Sequence, residues 1–422
     1  MLSSFVRRGI CPNFIKVNSV FTSAYPAPDS CWGREDNKYP RGQSYDPAGS
    51  YRQPRVPKVG HPGRYQYISM ELVNGGDAEE FIKHQQGERL QSNVARSMLF
   101  QIAFSLFAAA DKFSVKHYDV KLLNIFVQKL NCSNTEGAVL RYGLGSHVFA
   151  LRMPRDSAVI AKLADFGTAN VDPCSSGQPI GIAHFTTLEN TPPDFFILGD
   201  DAQQGHEHDS FGLGLCMLHL FTGYRPYEEI MESVSCPPSL QKRLSDIWED
   251  ESQAGFSIMN SIIFDGVDQD DDGNLLGEPD RTFYDTLYRY LVLFGIPDVT
   301  FNQKSHSKVW KAINDSLVAA GKKTTKARPN DKTQFSRDCK KFSIRKGNNK
   351  YIARARDALA ATDGGLELLF HLCSFDPSKR ATPLQVLNST FMADLRESYQ
   401  DDHGDADIYS YMSFATTGSS VV

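Results

Sequence analysis

Along the 422-residue chain a few strongly patterned apolar stretches alternate with long polar ones. Residues 65–72, YQYISMEL, read as a strand and run into a Gly75-Gly76 turn, after which Asp77 is placed to cap a short helix over AEEFIKHQ. Residues 94–112 are apolar on most helical faces, which predicts a deeply buried helix. Their most apolar run, SMLFQIAFSLFAAA, is too short for a bilayer, so no membrane span is expected. A second buried helix is predicted over residues 209–221, DSFGLGLCMLHLF. Two closing helices, GGLELLFHLC and TPLQVLNSTFM, flank the turn SFDPSKRA. Near the N-terminus CPNFIKV reads as a strand. Residues 25–64 hold Pro, Gly and Tyr without period and predict a long surface loop. Residues 228–363 mix helical pieces with an acidic loop, DGVDQDDDGNLLGEPD, and a basic stretch, and a loose tail follows from about residue 401.

Composition narrows the class. Hydrophobic residues at 41% and charged residues at 23% exclude wholesale disorder and fibrous repeats. A net charge of −5 argues against generic nucleic-acid binding. The eight cysteines are scattered without a CxxC pair, which suits reduced thiols and an intracellular, most simply cytoplasmic, protein. The first acid is Asp29, as in a mitochondrial presequence, but the amphipathic Arg/Ser pattern of such a leader is missing.

The chemistry centres on HYDVKLLNIFV, residues 117–127, and on KLADFGTA further along. An aspartate, a lysine two residues on and an asparagine five residues on lie just past a buried helix, a set that suits phosphoryl transfer. Asp119 can accept or orient the proton of an attacking hydroxyl, and Lys121 can neutralise charge on the moving phosphoryl group. Asn124 offers an amide oxygen to Mg²⁺, and Asp165 offers a hard carboxylate to the same ion.

In order and company these motifs resemble the eukaryotic protein kinases, of serine/threonine type. YISMELVNGGD looks like the strand and hinge that end the small lobe. The resemblance implies Met70 as gatekeeper, the Glu71 and Val73 backbones facing adenine, and Asp77 reaching the ribose. HYDVKLLN is similar to the catalytic loop, DFG (Asp165, Phe166, Gly167) to the metal-binding loop, and Phe126 stands at the apolar floor under adenine. TTLENTPPD resembles the end of the activation segment, with Asp194 matched to Arg380 of DPSKRAT as an ion pair, and DSFGLG supplies Asp209 to brace the catalytic loop. The implied fold is α+β, protein-kinase-like and bilobal, with a mostly helical C-lobe and an incomplete small β-rich N-lobe. It implies a truncated small lobe over residues 1–73 with the insertion at 25–64, a large lobe over 74–398 with insertions at about 130–156 and 228–362, and a tail over 399–422. The implied cofactors are ATP and Mg²⁺, and the implied partner is a protein substrate; oligomeric state is not legible.

Departures matter as much. Tyr118 stands where most relatives have an Arg that grips an activation-loop phosphate, so Thr168, Ser175, Ser176, Thr186 and Thr187 have no such Arg awaiting them. The segment between Asn124 and Asp165 is long, and residues 130–156 are expected as a surface insertion. No glycine-rich phosphate loop precedes the hinge. If Lys16 were the strand lysine, the helix that must follow it would fall in the Pro-rich residues 25–64. Two readings stay open: a protein kinase that transfers the ATP γ-phosphoryl group, and a pseudokinase or scaffold that binds partners without catalysis.

Other signals have plain readings. DQDDDGNLLGEP resembles the start of a calcium loop, yet Pro279 stands where the closing glutamate belongs, so a solvated acidic loop is expected. The basic residues 322–346 carry few aromatics and read as a solvated insertion. His206 and His208 have no third ligand in view and read as a polar start to the buried helix.

Overall fold

Gln66, Ile68 and Met70 alternate with Tyr65, Tyr67 and Ser69, and this period of two forms strand β2 (Tyr65–Met70). The computed structural model describes residues 2–23, 65–130, 138–144, 147–153, 158–171, 188–202, 205–250, 263, 281–297, 306–318 and 331–397. Contacts group the chain into two units, Ile15–Leu72 and Met1–Phe14 with Val73–Val422. In the smaller, β2 pairs antiparallel with β1 (Val17–Ser23), Val20 opposite Ile68, and Phe21 stacks on Tyr67 at 5.1 Å. The Pro-rich segment expected as a surface loop falls outside the described residues.

The larger unit is mainly helical. After α1 (Ser3–Arg7) come α2 (Ala78–Lys83) and the 22-residue α3 (Ser92–Phe113), the centre of the core. Then follow α4 (Pro193–Leu198), α5 (His206–Thr222), α6 (Pro238–Trp248), α7 (Arg281–Phe294), α8 (His306–Leu317), α9 (Asp331–Phe342), α10 (Lys350–Ala360), α11 (Gly365–Leu372) and α12 (Pro383–Asn388). Helix α3 packs against α5 and α12. By length and composition α3 can cross a membrane, contrary to the length argument from its apolar run, but 83% of its apolar window is buried inside the protein. Burial identifies it as a core helix.

Three expectations are corrected. Residues 1–14, grouped by sequence with the small lobe, pack with the larger unit. Asn13 is fully buried and donates to Gln101 Oε1 (2.9 Å) and Ala161 O (2.7 Å), while Leu163 N donates to Asn13 O (2.8 Å). The Phe5 ring lies tilted against Phe14 and Phe113, at 5.9 and 5.1 Å between centroids. These polar and aromatic contacts hold the segment on α3 and the strand that follows it in space.

The second correction concerns residues 130–156. Their described residues are not a surface segment: β4 (Ala138–Leu144) and β5 (His147–Met153) form an antiparallel hairpin. Leu140, Tyr142 and Leu144 alternate inward with Phe149, Leu151 and Met153, all buried. Tyr142 lies 4.4 Å from Phe104, and Phe149 meets Phe100 edge-on at 5.8 Å, so the hairpin covers α3. A short strand, β7 (Arg396–Glu397), pairs with β5 at the hairpin's edge. Part of the basic stretch is likewise not a solvated insertion. Helix α9 buries Cys339 and Phe342, and residues 319–330 lie outside the described residues. The acidic loop lies outside them too.

Candidate active site

Helix α3 ends at Ser114 in the left-handed region, and the chain turns into residues 115–121. Lys116 and Asn170 exchange backbone hydrogen bonds (2.8 and 2.9 Å). The next residues hang on Asp209 at the start of α5. Its carboxylate accepts from His117 N (2.7 Å) and Tyr118 N (2.8 Å). Burial pushes the Asp209 pKa up to about 7 against the pull of those two amides. Tyr118 has φ +63°, a left-handed conformation costly for a bulky residue, and the paired amides hold it there. Gly212, one turn along α5, permits the approach, since a Cβ there would lie 2.9 Å from Val120 O.

His117 is fully buried and lies under this loop. Nε2 donates to Ala164 O (2.9 Å) and Nδ1 accepts from Asp119 N (3.3 Å), a pairing that fixes one neutral tautomer. Burial lowers its pKa in keeping with that. Thr168 Oγ1 donates to His117 O (2.9 Å), which gives this candidate phosphosite a buried structural partner. The other candidate phosphosites lie outside the described residues.

The residues expected to be catalytic meet around Asp119. Lys121 Nζ is 2.8 Å from Asp119 Oδ2. Asn124 Nδ2 donates to Asp119 O (2.8 Å) and to the same Oδ2 (2.9 Å). Asp119 and Asn124 are buried, and Lys121 is only partly exposed. Strand β3 (Ile125–Lys129) pairs antiparallel with β6 (Val159–Leu163) in a register that sets Ile125 opposite Leu163. Ala164 N then donates to Asn124 O (2.9 Å), so Asn124 and Asp165 leave the same end of one two-stranded ribbon. Asp165 is exposed at φ +56°, and Phe166 packs on His117 at 4.9 Å.

The remaining expected residues fall in two places. Asp77 and Phe126 form a backbone bridge, Val127 N donates to Gly76 O (2.9 Å), and Val73 is half-buried at the start of the larger unit. Asp77 Oδ1 caps α2 by accepting from Glu80 N (2.9 Å). Met70 and Glu71 belong to the smaller unit. Met70 is 54% exposed, and Glu71 N donates to Lys16 O (2.9 Å) while its carboxylate accepts from Lys16 N (2.7 Å). The Glu71 amide is therefore committed to strand pairing.

The protein kinase domain family model matches residues 55–269, which is 215 of the 422 residues. The chain belongs to the protein kinase domain family. No curated protein matches it. In this kinase domain Asp194 and Arg380 form a fully buried ion pair, and Arg380 also lies over the Phe211 ring at 5.2 Å. His208 is buried edge-on between Tyr118 and Phe195, at 5.3 and 5.6 Å. Burial lowers its pKa to about 3.

One cluster of the kinase domain is missed by the sequence. Glu79 on α2, His219 on α5 and Arg225 beyond it meet beside residues 120–123, with Arg225 Nη2 2.7 Å from Glu79 Oε2 and His219 Nδ1 4.0 Å from Glu79 Oε1. Residues 146 apart carry no local signal of such a contact.

Proposed function

We propose that the protein transfers the γ-phosphoryl group of ATP to a serine or threonine hydroxyl of a protein. The observation that carries the reading is the Asp119–Lys121–Asn124 constellation on a loop braced by Asp209. Asp119 orients the incoming hydroxyl and takes its proton, and Lys121 faces the charge that develops on the transferred group. Asn124 holds the Asp119 carboxylate at the same oxygen as Lys121, which preorganises the base before substrate arrives.

Asn124 and Asp165 fit a Mg²⁺ site. The amide nitrogen of Asn124 is turned onto Asp119, which assigns its oxygen to the opposite side, and exposed Asp165 supplies a carboxylate, a hard donor set. When bound, Mg²⁺ neutralises charge on the phosphates. Asp77 and Phe126, joined by their bridge, are proposed to meet the ribose and the underside of adenine, and Val73 the adenine edge. Free, buried thiols at Cys11, Cys216, Cys236, Cys339 and Cys373 suit a reducing, cytoplasmic setting.

A second reading, a scaffold without catalysis, draws on the sequence around the hinge: no glycine-rich loop or paired strand lysine is recognisable ahead of it, and the family match begins at residue 55. Nucleotide binding separates the two. Thermal unfolding of the protein with ATP is expected to shift upward when Mg²⁺ is added, and Asp165→Ala is expected to abolish the Mg²⁺-dependent part. Absence of any nucleotide-dependent shift would support the scaffold.

A further inference from the structure

Residues 337–350 carry four lysines and two arginines against a single acid, Asp338, in a chain of net charge −5. All six cations are exposed: Arg337, Lys340 and Lys341 on α9, Arg345 and Lys346 in the link that follows, and Lys350 at the first residue of α10. Positions 337, 340 and 341 share one face of α9 by their i, i+3, i+4 spacing. Its opposite face is fixed in the core, where Cys339 and Phe342 are buried and Asp338 accepts from Tyr288 Oη (2.8 Å). The link folds back on the end of α9. Asn348 N donates to Lys340 O (3.1 Å), Asn349 N to Lys341 O (2.8 Å) and Ile344 N to Leu293 O on α7 (2.9 Å). A Cβ on buried Gly347 would lie 2.8 Å from Lys341 O, so this tight return depends on glycine. The six charges are thereby gathered around one turn. None of them pairs with a carboxylate among the described residues, and the like charges on α9 repel one another. Lys340 and Lys341 suit the negative end of the α9 dipole, but Lys350 opens α10, where the dipole disfavours a cation.

We infer that this surface docks an acidic segment of a partner protein, a run of Asp and Glu. Lysines supply four of the six charges, and an ammonium is a point charge without a fixed fork. Arg345 spends its guanidinium over the Phe370 ring, at 4.1 Å. Such a set suits carboxylates strung along a chain rather than one phosphate gripped bidentately. Single-stranded nucleic acid is disfavoured, because the rings on which a base would stack already carry a cation: Lys341 lies over Phe342 at 4.7 Å and Lys350 over Tyr351 at 4.6 Å. The overall negative charge of the chain also opposes a long polyanion that reaches beyond the patch. A bilayer is disfavoured, because none of the large apolar side chains exposed among the described residues lies within 331–360. The inference holds for a catalyst and for a scaffold alike, since it names a contact outside the Asp119 site.

Fluorescence anisotropy of a labelled oligo-glutamate peptide titrated with the full chain tests this. A Ser/Gly peptide of equal length, single-stranded oligo-thymidylate and phosphatidylserine vesicles are measured beside it. The oligo-glutamate peptide is expected to bind, with an affinity that falls as salt is raised. The triple variant Lys340→Gln, Lys346→Gln, Lys350→Gln is expected to weaken it by about tenfold or more. Exposed substitutions of this kind leave the fold intact, which thermal unfolding checks. A control, Lys112→Gln, Lys242→Gln, Lys379→Gln, removes the same charge from cations elsewhere that pair with Asp111, Asp246 and Asp376, and is expected to leave binding unchanged. No binding of the acidic peptide, an equal loss in the two triple variants, or no loss in the first would overturn the inference. So would tighter binding of the oligonucleotide or the vesicles than of the peptide.

Discussion

Asn124 Nδ2 reaches Asp119 twice, at the backbone carbonyl (2.8 Å) and at the carboxylate Oδ2 (2.9 Å). The carboxylate is thereby held at Oδ2 by both the Asn124 amide and the Lys121 ammonium. Asn124→Ala removes both bonds and leaves Asp119 to rotate toward Lys121. The expected result is a loss of phosphate transfer of about 10²-fold or more, with a destabilisation of about 1–3 kcal/mol from the buried partners left behind. Steady-state kinetics and denaturant unfolding of the variant check the two parts separately.

The β4–β5 hairpin is part of the core. Tyr142 is 1% exposed and packs on Phe104, so Tyr142→Ala is expected to destabilise by about 3–5 kcal/mol, measured by urea unfolding. A loop residue on the surface would change stability by only about 0.5 kcal/mol.

What the sequence disclosed follows from how local each signal is. Asp119, Lys121 and Asn124 lie within six residues on one loop, so a short segment, read together with the motifs around it, suggested the set that the structure brings into contact. The uniformly apolar residues 94–112 announced burial, and the structure places helix α3 there. The hairpin was legible too, because Leu140, Tyr142 and Leu144 alternate with period two and are answered by Phe149, Leu151 and Met153. Its reading as an insertion came from comparing loop lengths, which says nothing about packing. Contacts such as Glu79–Arg225 and Asn13–Gln101 are set by tertiary folding across 146 and 88 residues, and no local pattern encodes them.

Acid is expected to destabilise the protein through its buried histidines. Burial lowers the pKa of His208 and of His219 to about 3, whereas an unfolded His titrates near 6.5. The unfolded chain therefore takes up protons first, and the stability these groups confer is fully present above about pH 6.5 and lost as pH falls. Asp209, raised to about 7, works in the opposite sense, so the histidine contribution is read as a difference between proteins. His208→Asn is expected to reduce the loss of stability between pH 7.5 and 5.5 by on the order of 1.4 kcal/mol relative to wild type. Denaturant unfolding at both pH values measures it, and an unchanged pH dependence would mean that His208 is not held neutral.

The Asp194–Arg380 pair is fully buried on both sides. Arg380→Leu strands a carboxylate whose pKa burial already raises, and is expected to destabilise by about 3–5 kcal/mol. The double variant Asp194→Leu with Arg380→Leu is expected to recover a substantial part of that loss, which a double-mutant cycle quantifies.

The central claim is that the loop braced by Asp209 transfers phosphate through Asp119. The most direct test is incorporation of the ATP γ-phosphate into serine- and threonine-containing peptides by the purified protein, with Asp119→Asn prepared in parallel. The account predicts Mg²⁺-dependent incorporation by the wild-type protein and a fall of at least about 10²-fold in the variant, with its folding retained. Equal incorporation by the two proteins, or none by the wild type with MgATP bound, would contradict it.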